Sequence, residues 1–371
     1  MNILCDKTEL IEAVNNVQRA VASKSALPEL EGILMRAHGT TLYLAGFDME
    51  LGITTTISAV VKEPGDIVLS ARMFGDIVRK MPGDQVSIET DSRDNAMIRS
   101  DVTEFSILGK PASKYPDIPK VEDGSCVSIS QQVLKSMIRQ TIFAVAAPND
   151  PRPIYTGTKF VLLPEELRLV SVDGYRLAMR SEPMHNEETM QFVVPGKNLQ
   201  EILKLLKDEE KPCSIIVGRR HVIFEIDGYA VISRLLDGEF IDYERIISPE
   251  VKTKVTVNTR AFMDMVDRVA LVITDRLKSP MVCRFHDNSV SVSCTTPLGS
   301  ANDCISAQID GDEEEMGFNS RYLLDALKNS ETDEVVIKLN GAVKPIIITP
   351  REGNHFLFLV QPVLLKSNAN Y

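Results

Sequence analysis

The chain has 371 residues, of which 44% are apolar and 25% are charged. These values are typical of a globular protein and exclude a disordered or collagen-like chain, and the length predicts two or three domains at about 100–200 residues each. Acidic residues outnumber basic residues by 52 to 41, so the net charge is −11, and charge alone favours a protein that DNA and anionic membranes repel.

The start of the chain gives no sign of a targeting segment. Residues 1–7 lack the cationic and apolar regions of a signal peptide, and no apolar run approaches the roughly 18 residues of a membrane span. The six cysteines lie far apart without Cys-x-x-Cys spacing, and the five histidines are scattered. We therefore predict no zinc site, no disulfide framework and no cofactor, and we expect a cytoplasmic, reducing location.

An amphipathic helix is predicted near the start of the chain and again at two later positions. Each is marked by apolar residues at i, i+4, i+7 and i+11, which form one face of an α-helix. The three sets are Leu10, Val14, Val17 and Val21; Leu134, Ile138, Thr141 and Val145; and Phe262, Val266, Val269 and Ile273. Thr141 is the polar departure from the pattern. A proline follows each set after seven or eight residues, at Pro28, Pro153 and Pro280.

Strands and a second helix come next in each segment. Period-two alternation predicts strands over 41–45, 167–172 and 289–293. Similar helical strings then begin at Ser70, Pro195 and Asn319, each with a cation third and an acid seventh. Their starts are 125 and 124 residues apart, and the first helices repeat with nearly the same period.

Two independent helical signals therefore predict three tandem repeats of about 120 residues, each with strands and two helices. Helices on one face of a mostly antiparallel sheet fit this pattern better than alternating βαβ units, so the predicted fold class is α+β. Proline-containing polar connectors at 116–125 and 247–254 place the domains at 1–122, 123–249 and 250–371.

The sequence gives no catalytic motif. Gly-x-Gly-x-x-Gly, a phosphate-binding loop, His-Glu-x-x-His and Gly-x-Ser-x-Gly are all missing. Asp264 and Asp267 lie beside Arg260 and Arg268 on a predicted helix, where solvated pairs are expected. The acidic run 310–315 is expected to be a solvated loop. The residues therefore do not predict an enzyme.

Several local strings, in order along the whole chain, carry a resemblance to a known family. They are Ala26-Leu-Pro28, Phe105-Ser-Ile-Leu-Gly-Lys-Pro111, Tyr115-Pro-Asp-Ile-Pro119, Val172-Asp-Gly-Tyr-Arg-Leu-Ala178, Leu236-Asp-Gly-Glu-Phe-Ile-Asp-Tyr-Glu-Arg-Ile-Ile247, Gly317-Phe-Asn-Ser-Arg-Tyr-Leu-Leu324 and Val360-Gln-Pro-Val-Leu-Leu365. On a threefold repeat, they make the chain resemble the bacterial sliding clamps, the β subunits of DNA polymerase III.

The resemblance implies a non-catalytic processivity factor. Two three-domain protomers would close head to tail into a six-domain ring, with sheets outside and helices facing a central hole that holds double-stranded DNA without sequence preference. The implied partners are the DNA polymerase III α subunit and other polymerases, the clamp loader, mismatch-repair and ligation proteins, and a second copy of the chain. No membrane is implied, and the protein would associate with the nucleoid during replication.

The charge distribution fits a chain that surrounds DNA. The six predicted helices carry a net charge of +6, which leaves −17 on the remainder. Cations on helices can meet phosphates through counterion exchange, without sequence preference. The predicted DNA-binding residues are Lys24, Arg72, Arg79, Lys80, Arg139, Arg152, Lys197, Lys204 and Arg268. The resemblance supplies Lys24 and Arg152, and the other residues are inferred from helix membership.

The resemblance also implies a pocket for partner peptides between the second and third domains. Its residues are Tyr155, Val172, Gly174, Tyr175, Arg176, Leu177, Ile241, Arg245, Ile246, Asn319, Tyr322, Val343, Pro345, Leu359, Val360, Gln361, Pro362 and Val363. Tyr175 stands where a histidine is common in the family, and Gln361 and Val363 flank Pro362 where methionines are common. A dimer contact would pair Phe105 and Ile107 with Leu271 and Val272.

Two alternatives remain open at this stage. A three-repeat protein scaffold would share the fold but would not stay on circular DNA. A hydrolase using Asp173 and a nearby histidine would need a clustered catalytic site.

Overall fold

The computed structural model describes residues 1–122, 124–247, 250–274 and 279–365. Two of the residues that flank predicted domain boundaries, 123 and 249, and the tail Lys366–Tyr371 lie outside this range. In the described part, the chain forms six α-helices and 26 strands, and every strand pair is antiparallel. The predicted α+β class with antiparallel sheets is therefore confirmed.

The helices lie where the sequence predicts them. They are α1 (Lys7–Val17), α2 (Ala71–Lys80), α3 (Gln131–Ile142), α4 (Gly196–Leu205), α5 (Thr259–Ala270) and α6 (Ser320–Lys328). The first three apolar positions of each predicted face belong to a helix, whereas the fourth, at Val21, Val145 and Ile273, lies three or four residues beyond the helix end. Three α-helices begin at side-chain caps, because Asp6, Asn258 and Asn319 accept hydrogen bonds from backbone N–H groups of the first turn.

The chain folds into two compact units. Unit 1 contains residues 1–135 and 197–235, and unit 2 contains residues 136–196 and 236–371. The second repeat is shared between the units, since one of its sheets continues that of the first repeat and the other continues that of the third repeat. The two predicted boundaries between the three domains therefore stay a prediction.

Unit 1 contains two sheets. The first has the order β5-β1-β7-β8-β9. Its strands are β1 (Asn2–Asp6), β5 (Val60–Glu63), β7 (Gln85–Thr90), β8 (Asn95–Ser100) and β9 (Thr103–Leu108). The second has the order β10-β15-β16-β17-β4-β3-β2-β6. Its strands are β2 (Gly32–His38), β3 (Thr41–Phe47), β4 (Leu51–Ser58), β6 (Gly65–Ser70), β10 (Ser125–Ser130), β15 (Pro212–Val217), β16 (His221–Ile226) and β17 (Tyr229–Arg234).

Unit 2 also contains two sheets. The larger has the order β14-β11-β12-β13-β26-β25-β24-β18-β22. Its strands are β11 (Gly157–Leu163), β12 (Glu166–Val172), β13 (Arg176–Pro183), β14 (Met190–Pro195), β18 (Thr253–Asn258), β22 (Gln308–Asp310), β24 (Glu334–Leu339), β25 (Ile346–Pro350) and β26 (Phe356–Val360). The smaller has the order β21-β20-β19-β23. Its strands are β19 (Met281–His286), β20 (Ser289–Thr296), β21 (Gly299–Ser306) and β23 (Glu314–Phe318).

Thr141, the polar residue on the repeated apolar face, is fully buried. Its hydroxyl donates to carbonyl oxygens of its own helix, at 2.9 Å from Met137 O and 3.3 Å from Ile138 O. The polar group is satisfied locally, so the side chain can occupy the position that Val17 and Val269 occupy, also buried, in the other repeats.

We expect Thr141→Val to leave the melting temperature unchanged or raised. Among the described residues, the hydroxyl bonds only to carbonyl groups of its own helix, and these also accept backbone N–H groups, so its removal leaves no buried group unpaired. Thr141→Ala removes the methyl group as well and should cost about 1–3 kcal/mol. Differential scanning calorimetry of both variants checks this, and a valine variant that melts as low as the alanine variant would show that the hydroxyl is required.

Two further observations concern membrane-spanning helices and metal sites. Among the described residues, no helix is long and apolar enough to cross a membrane. Over the same residues, no group of three or more His, Cys, Asp or Glu side chains is arranged to hold a metal ion.

Candidate binding surfaces

Pairing of β13 with β26 brings together the two segments that carry most of the predicted pocket. Leu177 lies opposite Leu359, and Arg176 lies opposite Val360. The chain stays paired beyond the strands, because Gln361 N donates to Tyr175 O at 2.9 Å. Residues about 180 positions apart in the sequence thus lie side by side.

An apolar cluster in unit 2, which we call the apolar floor, contains six of the predicted pocket residues. The predicted members are Tyr155, Val172, Leu177, Leu359, Ile241 and Ile246. The first four are at most 8% exposed, and the two isoleucines are partly buried against them. Val360, by contrast, is 1% exposed and belongs to the core cluster around α5 and α6, since successive residues of β26 point to opposite faces.

The turn between β12 and β13 presents Tyr175 beside this floor. Asp173 Oδ1 accepts hydrogen bonds from Tyr175 N at 2.9 Å and Arg176 N at 3.0 Å. Gly174 has φ +93°, a conformation that favours glycine. Asp173 Oδ2 also pairs with Arg176, so both carboxylate oxygens are bonded to groups of the turn. The hydrolase alternative is therefore not supported by the surroundings of Asp173.

Arg176 joins the turn to helix α6. Its guanidinium pairs with Asp173 at 3.0 Å, pairs with Asp325, and lies 4.7 Å from the centre of the Tyr322 ring. Tyr322 stacks on Tyr175 with ring centres 6.1 Å apart. Burial, followed by the negative charge of Asp173, raises the pKa of Tyr322. The pair forms an aromatic rim, with Tyr175 62% exposed.

Arg152, predicted to contact DNA, lies next to the apolar floor. Its guanidinium lies 4.5 Å from the centre of the Tyr155 ring and 3.3 Å from Asp150. A backbone hydrogen bond from Arg152 is the main cause that lowers the pKa of Asp150. The side chain remains exposed.

Asn319 and Val363 form a second part of the predicted pocket. Both line a cavity of about 490 Å³ together with Phe318, Leu324 and other residues near the end of α5. The segment is held in place because Val363 N donates to Gly317 O at 2.8 Å.

The remaining pocket residues lie in turns or in the last segment. Val343 is 55% exposed in the turn before β25, Pro345 is partly buried, and Pro362 is partly buried. Arg245 is exposed and pairs with Asp242 at 2.8 Å.

All nine predicted DNA-binding cations are exposed. Five make ion pairs with a neighbouring carboxylate: Arg79 with Asp76, Arg152 with Asp150, Lys197 with Glu50, Lys204 with Glu201 and Arg268 with Asp303. The hydrogen bond from Arg268 is the main cause that lowers the pKa of Asp303. Within the described residues, Lys24, Arg72, Lys80 and Arg139 form no salt bridge, which leaves their charge fully available to an anion.

The predicted dimer residues differ in accessibility. Phe105 is 39% exposed on edge strand β9 and lines a cavity of about 480 Å³ with Met73, Ile77 and the polar residues of one face of α2. Ile107 is 8% exposed. Leu271 is 81% exposed just after α5, whereas Val272 packs partly buried against the core. Phe105 and Leu271 are therefore the accessible members.

Sequence reasoning missed three residues that build these surfaces. Asp173 and Asp325 hold Arg176, and Met73 lines the cavity beside Phe105. The Asp-Gly pair at 173–174 is a turn signal that predicts the role of Asp173. Nothing in the sequence indicates the other two, because their partners lie far away along the chain.

Comparisons with known proteins agree over the whole chain. Family models described as the N-terminal, central and C-terminal domains of the DNA polymerase III beta subunit match residues 1–119, 128–242 and 244–363. A beta sliding clamp of Bacillus subtilis (strain 168) is 33% identical, over 98% of this chain and 99% of that protein.

Solved structures agree as well. A crystal structure of the DNA polymerase sliding clamp from Bacillus subtilis matches with a TM-score of 0.96 at 32% identity, over 98% of this chain and 99% of that chain. One of the DNA polymerase beta subunit from Streptococcus pyogenes matches with a TM-score of 0.93 at 26% identity, over 98% and 100%. The similarity thus extends through all three repeats.

Proposed function

Because the chain belongs to the family of DNA polymerase III beta subunits, the beta sliding clamps, it is a non-catalytic DNA sliding clamp, and we propose that two copies close head to tail into its ring. The DNA clamp fold and the role in DNA replication follow from the family. The ring geometry, the contacts and the named partners are the proposal, as are domain boundaries at 1–122, 123–249 and 250–371.

The order of strands supports closure of the ring. In the eight-stranded sheet, β17 of the second repeat pairs with β4 of the first, and in the nine-stranded sheet, β26 of the third repeat pairs with β13 of the second. The counterpart of β17 and β26 in the first repeat is β9, and the counterpart of β4 and β13 in the third repeat is β21. Both β9 and β21 are sheet edges. Pairing β9 with β21 of a second copy repeats the same junction and satisfies both open edges.

The exposed cations on the helices and on a neighbouring loop support DNA binding inside such a ring. Lys24, Arg72, Lys80 and Arg139 have no carboxylate partner among the described residues, and Arg79, Lys197, Lys204 and Arg268 can exchange theirs for phosphate. Contacts of this type are independent of sequence and permit sliding. Arg152 is proposed to serve both DNA and the neighbouring pocket, because its exposed guanidinium borders Tyr155.

The apolar floor and aromatic rim support a pocket for partner peptides. Buried apolar walls with a few polar groups suit leucine and aromatic anchors of a short peptide. We propose that the DNA polymerase III α subunit and other polymerases, the clamp loader, and mismatch-repair and ligation proteins use this pocket. Two pockets per ring, together with tethering to the same DNA, raise the effective concentration of each partner. The proposed place of action is the cytoplasm, at the nucleoid during replication.

The two open sheet edges, β9 and β21, carry the proposal, and retention on DNA tests it. Clamp loaded on nicked circular DNA is expected to remain bound through a wash at about 1 M salt. At that concentration the Debye length falls to about 3 Å, so contacts between cations and phosphates no longer hold the protein. Clamp loaded on the same DNA after linearisation is expected to slide off. Gel filtration of the loaded complexes measures the retained fraction.

Cutting the loaded circle provides the matched control. The cut gives the DNA free ends but leaves the phosphates available to the protein unchanged. Equal loss from circular and linear DNA would contradict encirclement and favour the scaffold alternative.

A further inference from the structure

A third cavity, with different chemistry, lies in unit 1 at the turn between β15 and β16. It has a volume of about 320 Å³ and is lined by connector residues 120–122 and turn residues 218–221. The turn can approach the connector because Gly218 has no side chain: a Cβ there would lie 2.8 Å from Val121 Cγ1. The cavity therefore has an apolar wall at Val121.

The rim of this cavity is cationic. Lys120, Arg219 and Arg220 are exposed at its lining, and Arg234 lies opposite His221 in the pairing of β16 with β17. Burial, followed by the charges of Arg234 and Arg220, lowers the pKa of His221.

These cations outnumber the acidic side chains of the described lining. Within the described residues, Lys120, Arg219, Arg220 and Arg234 form no salt bridge, and Glu122 is the acidic side chain of the lining. Three unpaired cations at the lining, with Arg234 opposite His221, contrast with a chain whose net charge is −11. Such a site attracts an anionic ligand.

The repeat relates this cavity to the peptide pocket. The turn 218–220 joins β15 to β16, and its counterpart in the third repeat is the turn 340–345, which joins β24 to β25 and holds Val343 and Pro345. Arg234 corresponds to Gln361, because Arg234 N donates to Glu50 O as Gln361 N donates to Tyr175 O. Equivalent positions are therefore basic in unit 1 and largely apolar in unit 2.

We propose that the Lys120–Arg220 cavity is a second docking site, which takes an acidic peptide segment of a partner protein. Carboxylates would pair with the guanidinium groups, and an aliphatic side chain would contact Val121. A peptide fits better than a nucleic acid because the cations lie at strand turns around an apolar wall, whereas the cations assigned to DNA lie on helices and neighbouring loops. The proposal rests on the repeat relation and not on ring closure.

Fluorescence anisotropy with the full-length protein tests this site. The probe is a fluorescein-labelled octaglutamate peptide, and an octaglutamine peptide is the uncharged control, both at about 0.1 M salt. We expect octaglutamate to bind, octaglutamine not to bind, and the double variant Arg219→Ser/Arg220→Ser to bind about tenfold more weakly. The matched variant Arg36→Ser/Lys62→Ser removes two exposed cations of the same unit that do not line the cavity, and should bind like the unchanged protein.

Equal binding by both double variants would overturn the site. Binding of an oligothymidine octamer that is lost in Arg219→Ser/Arg220→Ser, without binding of octaglutamate, would overturn the peptide in favour of a nucleic acid. Retention of both variants on circular DNA is measured in parallel, so that failure of the docking site is distinguished from failure of the ring.

Discussion

Leu271→Asp is expected to convert the clamp into a folded monomer that no longer stays on circular DNA. The side chain is 81% exposed after α5, so aspartate there costs the protomer little. In the dimer, we expect Leu271 to enter the cavity lined by Phe105, Met73 and Ile77 of the partner subunit, where aspartate loses the apolar burial of the leucine side chain and its carboxylate has to be desolvated. Size-exclusion chromatography with light scattering measures the mass, and circular dichroism establishes that the fold is kept.

Val60→Asp is the matched control. Val60 is 60% exposed on β5, at the opposite edge of the sheet that ends in β9, so this variant should remain dimeric. Dimers from Leu271→Asp at the same concentration would contradict the assigned contact. Unfolding of that variant would mean instead that Leu271 stabilises the protomer.

The register of the dimer junction can be tested by cross-linking. Ile232 lies opposite Gly52 in one internal junction, and Leu359 lies opposite Leu177 in the other. The counterparts of these pairs place Ser106 opposite Ser300 of the partner subunit. Facing positions in an antiparallel pair are about 4.5–5.5 Å apart at Cα, within reach of a disulfide.

Ser106→Cys/Ser300→Cys should therefore form dimers that are covalent under oxidising conditions. Ser106→Cys/Asn302→Cys, shifted by two residues, should cross-link much less. Non-reducing electrophoresis separates the two outcomes, and equal cross-linking of both variants would contradict the register.

Sequence periodicity predicted the helices well because each buries one apolar face against a sheet. The same reason explains where the prediction of their ends failed. Val21, Val145 and Ile273 continue the apolar spacing, but the chain leaves the α-helix before each of them, after Val17, Ile142 and Ala270. Apolar spacing reports burial, and these three side chains are still partly buried past the ends of their helices.

The pairing between repeats could not be read from periodicity. Alternation identifies a strand but does not say which strand lies beside it, and the β13–β26 and β17–β4 pairs join residues almost 180 positions apart. The Arg176–Asp325 contact depends on the first of these pairs. The resemblance supplied the pocket residues that local reasoning could not, although Val360 is buried in the core and not in the apolar floor.

Pro362→Glu/Val363→Glu is expected to abolish binding of polymerase peptides while the dimer persists. Val363 is 40% exposed, and its side chain lines the same cavity as Asn319. Its backbone N–H bond to Gly317 does not depend on the side chain, so the segment should stay in place. Two carboxylates beside apolar walls would remove the favourable burial of a peptide leucine, worth about 1.5–3 kcal/mol, and add a desolvation cost. Anisotropy of a labelled C-terminal peptide of the polymerase III α subunit measures the loss.

Leu364→Glu is the matched control, because it places a negative charge next to the pocket but outside it. Leu364 is the next residue and is 66% exposed, but it is not among the predicted pocket residues, so the peptide should bind this variant as it binds the unchanged clamp. Equal weakening by Leu364→Glu would mean that negative charge near the end of the chain repels the peptide without contact. Unchanged binding by Pro362→Glu/Val363→Glu would contradict the assignment of this segment to the pocket. Because the dimer residues Phe105 and Leu271 are untouched in all these variants, retention on circular DNA should be the same for each, which makes loss of peptide binding attributable to the pocket.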